Sequence, residues 1–84
     1  MGPHKNKVTV EIFGENYPLR GDVEPERIMR VAAHLDGRMR QTAGTNPRLS
    51  TAKVAILTAL NITDEYLRLQ KDYQELLNMV RDGK

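Results

Sequence analysis

Apolar residues recur at alternating steps of three and four along the C-terminal third of the chain: Ala52, Ala55, Ala59, Ile62, Tyr66, Leu69, Tyr73, Leu76 and Val80. That is a heptad repeat sustained over roughly four repeats, the pattern of a coiled-coil seam. It predicts one uninterrupted helix from Ser50 to about Val80. About thirty residues at ~1.5 Å each reach ~45 Å, whereas a compact domain of this length has a radius of gyration near ~12 Å. The helix therefore protrudes, and its seam calls for a second chain.

The N-terminal part has a different period. Val8, Val10 and Ile12 alternate with Thr9, Glu11 and Phe13, which predicts a strand with one buried face. Gly14-Glu15-Asn16 reads as the turn, and Tyr17 and Leu19 continue the alternation as the second strand of a hairpin. Pro18 cannot donate to a ladder, so it belongs on an edge or faces outward. Glu24-Pro25 opens a first helix, with proline where its missing N–H costs nothing. Ile28, Val31, Ala32, Leu35 and Met39 form its apolar stripe, and Gly37 within it suggests close packing on the second helix. Thr42 to Pro47 reads as a loop, broken by Gly44 and Asn46-Pro47. Ser50 sits where an N-cap is wanted, with Leu49 and Val54 placed as a hydrophobic staple around it.

The predicted fold is thus α+β: a small head of hairpin plus short helix, followed by a long coiled-coil helix, in an oligomer. Residues 1–6 read as a disordered tail, 7–49 as the head, and 50–81 as the long helix. The first half of that helix packs on the head, since Val54, Ile56, Leu57 and Leu60 widen its apolar surface beyond the seam. The second half is a stalk. Two strands alone are marginal in water, so the head either joins sheets with another chain or relies on its helices. Taking Ala52 as position a, acids fall at g (Glu65, Asp72), which favours a parallel pair.

Composition narrows the function. The 84 residues contain no cysteine and one phenylalanine, and 39% are hydrophobic. A core this thin is marginal alone, and self-association supplies the missing burial. Disulfides and thiolate metal sites are excluded. No apolar run is long enough to cross a membrane, and the polar N-terminus lacks the apolar stretch of a signal peptide. Thirteen basic and eleven acidic residues give a net charge of +2, too even to indicate nucleic acid. The distribution is less even. Residues 38 to 63 contain no acid, yet hold Arg38, Arg40, Arg48 and Lys53. With Arg20 these form a basic group suited to the carboxylates or phosphates of an acidic partner.

Catalysis has little support. Ser50 is explained as a cap and has no adjacent base. His4 and His34 are far apart and make a poor metal site without thiols. Asp64 and Glu65 point different ways on a helix. Gly14 and Gly21 punctuate a hairpin and form no phosphate loop. The chain reads as a non-enzyme with no cofactor and no metal.

Several segments, in order, resemble the bacterial cell-division protein family ZapA, in its short form. They are Ile12-Phe13-Gly14, Val31 to Arg40, Asn46-Pro47-Arg48-Leu49-Ser50-Thr51, and Ala55-Ile56-Leu57-Thr58-Ala59-Leu60-Asn61-Ile62 followed by Asp64-Glu65-Tyr66. The resemblance implies a cytoplasmic protein at the mid-cell division ring that binds FtsZ and cross-links its protofilaments. It implies homodimers paired through the heads, and in longer members tetramers joined through the stalk. It also places partner contacts on basic head residues, for which this chain offers Arg20, Arg38, Arg40, Arg48 and Lys53. Glu15, Asn16 and Pro18 depart from the family here. Self-association falls to Ala59, Ile62, Tyr66, Leu69, Tyr73, Leu76 and Val80. The expected partners are FtsZ and a second copy, with no nucleic acid and no membrane. The alternative is a small dimeric nucleic-acid-binding protein or a generic coiled-coil adaptor using the same basic head.

Overall fold

The computed structural model describes residues 6–22 and 24–83. The elements run β1 (Asn6–Ile12), β2 (Glu15–Gly21), α1 (Pro25–Thr45) and α2 (Thr51–Asp82). Of the expected tail, residues 1–5 lie outside the described residues, and Asn6 belongs to β1.

The strands pair antiparallel from Asn6↔Gly21 to Ile12↔Glu15. The turn is therefore Phe13-Gly14, not Gly14-Glu15-Asn16. Both residues have positive φ, 52° and 83°, as a two-residue type I′ connection demands. Glycine adopts this without a steric cost, but phenylalanine does not. Its conformation is held from outside. The Phe13 N–H donates to Asp36 Oδ1 on α1 at 2.7 Å, and the Arg40 guanidinium carbon lies 5.9 Å from the ring centroid. Pro18 pairs opposite Thr9 and is exposed. Val10 is buried, with Val8 and Ile12 half-buried on the same face.

α1 starts at Pro25 over the Glu24 carbonyl, which accepts from the N–H groups of Arg27 and Ile28. It continues through the segment expected to be a loop and ends only at Thr45. The Asn46 N–H closes the last turn on the Thr42 and Ala43 carbonyls, and Thr45 Oγ1 and Asn46 Nδ2 also donate to that of Thr42. Such partners let the final turn persist despite Gly44. Ala32 and Met39 are the buried residues of the stripe, while Val31 is 62% exposed. Gly37 is not a close-packing site, since a Cβ there would meet nothing within 4 Å.

α2 begins as the Ser50 spacing predicts, with Ser50 Oγ accepting from the Lys53 N–H at 3.2 Å. Val54 and Thr58 are its buried residues. The Thr58 hydroxyl donates to Thr42 Oγ1 at 3.0 Å, so the buried polar group is satisfied by α1. The molecule measures 51 × 49 × 15 Å along its principal axes. One long extent is α2 itself, whose length is ~48 Å at 1.5 Å per residue. The other requires α1 and the hairpin to swing away from the α2 axis. The third extent is only 15 Å, so the two helices and the hairpin spread mainly within one plane. The chain is a flat, angled plate in which few side chains are buried and many large apolar ones are exposed.

Candidate functional site

Two surfaces bear on function: the seam of α2 and the basic group around the elbow between the helices. The heptad positions of α2 sort by what they meet. On the g and c flank, Thr58 and Val54 are buried on the chain's own α1, and Glu65 reaches α1 through Arg38. On the seam, Tyr66, Leu69, Tyr73, Leu76 and Val80 are all more than half exposed, Ala59 is exposed, and Ile62 is half-buried. The seven residues assigned to self-association therefore form a continuous apolar ridge that one chain leaves mostly uncovered. Exposed patches of this kind mark interaction surfaces.

The five basic candidates divide. Arg38 is engaged: its Nη1 donates to Glu65 Oε1 at 2.7 Å and its Nη2 to Glu65 Oε2, a two-pronged pair joining α1 to α2. This hydrogen bonding holds the Glu65 carboxyl below its usual range and raises the arginine. Arg40 Nε donates to Asp36 Oδ2 at 2.9 Å. That bond, followed by the one from the Phe13 N–H, lowers Asp36. So Asp36 and Glu65, just outside the acid-free stretch, pair with its first two arginines. Among the described residues no ion pair holds the other three. Arg48 lies exposed in the connection between the helices, and Lys53 in the first turn of α2. Arg20 stands apart on β2, opposite Lys7. The structure thus brings Arg48 and Lys53 to the elbow and gives Arg38 and Arg40 partners within the chain.

Asp36 and Glu65 were absent from the expected site. The i,i+4 spacing of Asp36 and Arg40 is a local signal that could have found the first. Nothing local announces Glu65, which is 27 residues from Arg38. Its pairing also removes one of the two g-position acids from the argument for parallel helices. At the hairpin tip, the Tyr17 hydroxyl donates to Glu15 Oε2 at 2.8 Å, which raises the phenol. No group of three or more His, Asp or Glu side chains among the described residues could hold a metal. No helix among them is long and apolar enough to cross a membrane.

A hairpin and short helix carried at one end of a long, apolar-seamed helix define a small α+β protein with an exposed rod. The family model described as cell division protein ZapA matches residues 8–82. Cell division protein ZapA of Geobacillus kaustophilus is 39% identical over 83 residues, covering 99% of this chain and 91% of that relative. That of Geobacillus thermodenitrificans is 40% identical over 80 residues, covering 95% and 88%. Among solved structures, a ZapA mutant dimer from Geobacillus stearothermophilus superposes with a TM-score of 0.72 at 37% identity, covering 93% of this chain and 91% of that one. The chain belongs to the ZapA family of cell division proteins.

Proposed function

We propose that this protein binds FtsZ and cross-links its protofilaments, promoting assembly of the division ring in the cytoplasm at mid-cell. Residues 7–49 act as the FtsZ-binding head, and residues 50–81 supply the helix through which copies associate as a homodimer or tetramer. No chemistry is performed. The cross-linker works because joined heads bind with avidity that neither head has alone.

The observation that carries this reading is the uncovered ridge on α2 in a chain of this family. Support for the partner surface is electrostatic. Arg48 and Lys53 have no partner among the described residues, and a carboxylate-bearing surface would match them. Arg20 is the third such residue, while Arg38 and Arg40 stiffen the head that presents them. Exposed pairs are weak singly and screened by salt, so the binding should fade with ionic strength.

Co-sedimentation with FtsZ polymers and right-angle light scattering test the proposal. The protein should pellet with polymer and raise scattering above FtsZ alone at low salt. Absence of both would overturn it.

A further inference from the structure

The N-terminal half of α1 carries cations where a lone helix is poorly served by them. Arg27, Arg30 and His34 fall within an arc of ~60°, and all three are exposed. With Val31 they border a shallow hollow of about 390 Å³. Spacings of three and four bring like charges together and weaken a helix. Arg27 also stands in the first turn, where the helix dipole disfavours a cation, while the last turn, which favours one, has no basic residue.

Among the described residues nothing offsets this placement. Glu26 precedes Arg30 by four, the order that suits a helical ion pair, yet no ion pair among them includes Arg27 or Arg30. The stripe continues down α1 to Arg38, and there a carboxylate is present: Glu65 accepts from both prongs of the guanidinium. The facet also turns away from the core, since Ala32 and Met39 are buried on the opposite side of α1.

The facet is separate from the basic residues assigned above to FtsZ. His34 and Arg27 lie ~16 and ~27 Å along the helix from its elbow end at Thr45. Exposed charges act over only ~8 Å at physiological ionic strength, so Arg48 and Lys53 form a different site. Leu19 is the β2 residue that meets α1 around an apolar groove, so Arg20, next in the strand, points to the other face of the hairpin.

We propose that Arg27, Arg30 and His34 form a second docking surface, for a carboxylate-bearing segment of a partner protein other than FtsZ. Guanidinium forks match carboxylates, and the partner's acids must recur within ~10 Å, the axial span from Arg27 to His34. Val31, 62% exposed, adds an apolar contact beside the cations. A protein segment supplies both kinds of group. A nucleic-acid backbone has no apolar counterpart for Val31 and finds no Phe, Tyr or Trp on α1 to stack on. It would also set continuous negative charge against Glu24 and Glu26 at the start of the helix.

Fluorescence anisotropy on the full chain at low salt tests the surface, with a labelled peptide of nine glutamates around a central leucine as the probe. Arg27→Gln with Arg30→Gln should weaken binding of the peptide about fivefold. Arg48→Glu with Lys53→Glu should change it less than twofold. A ten-nucleotide oligothymidylate should bind more weakly than the peptide. The Arg27→Gln, Arg30→Gln protein should co-sediment with FtsZ polymers and self-associate as its parent does. It should also melt at a higher temperature, because two unfavourably placed cations are gone. No binding of the peptide to the parent, or equal binding to the variant, overturns the proposal. Tighter binding of the oligothymidylate, lost in the same variant, overturns the choice of a protein segment. Lost co-sedimentation assigns the facet to the FtsZ contact and overturns the second partner. A lowered melting temperature makes the two arginines structural and overturns the argument from their placement.

Discussion

Replacing Leu69 and Leu76 together by aspartate tests the seam most directly. In the single chain these side chains are 68% and 57% exposed, so most of their surface awaits a partner. Full burial of a leucine contributes ~1.5–3 kcal/mol, and covering the remaining surface accordingly gives ~1–2 kcal/mol per side chain. A pair of chains carries four of them, for ~4–8 kcal/mol in all. At about tenfold per 1.4 kcal/mol, the loss weakens association by at least about three decades. Aspartates opposed across the seam add repulsion. Sedimentation equilibrium should show the parent associated at micromolar concentration and the variant monomeric. Gln74→Asp with Asn78→Asp makes the same charge change on the far side of the helix and should leave association intact. A Leu69→Asp, Leu76→Asp protein that sediments like its parent would refute the reasoning, and with it the cross-linking role.

Other substitutions probe the head. Ser50→Ala removes the acceptor for the Lys53 N–H and should cost about 1 kcal/mol by denaturant unfolding. Gly37→Ala should stabilise α1 by about 0.5–1 kcal/mol, because a Cβ there meets nothing within 4 Å and alanine is the better helix former. Arg48→Glu with Lys53→Glu should reduce co-sedimentation with FtsZ while leaving sedimentation equilibrium unchanged. Asp36 and Glu65 both have lowered pKa values, through Arg40 and Arg38 respectively. Their contribution to stability is therefore full above the ordinary carboxylate range, about 4. It is lost as pH falls through their depressed values. Asp36→Asn should flatten that acid limb in a thermal-melt series, and an unchanged limb would contradict it.

What could be read before the structure was whatever depends on near neighbours. The seam is a period, the Ser50 cap is a three-residue relation, and the strand alternation is a two-residue one. The errors arose where a distant contact overrides local preference. The turn at Phe13-Gly14 rests on a phenylalanine held at positive φ by Asp36, 23 residues away. α1 outlasts its breakers with the Asn46 N–H and side chain and the Thr45 hydroxyl bonded to its terminal carbonyls. The basic group was legible as composition, but not its division. Arg38 belongs to a pair with Glu65 that only the approach of α1 to α2 creates.

The thinness of the single chain bears on how such a protein could work. The buried residues among those described are Val10, Ala32, Met39, Val54 and Thr58, and one of these is polar. A core of that size leaves a lone chain marginal against the conformational entropy of ordering it. With the self-association proposed above, burial gained between copies makes stability depend on protomer concentration. On the proposed reading this coupling has a functional consequence. A lone head that bound FtsZ without bridging would occupy a filament site and contribute no cross-link. If a chain with so few buried residues is stable only when associated, the folded head is already bivalent, and non-bridging monomers are removed by their own instability.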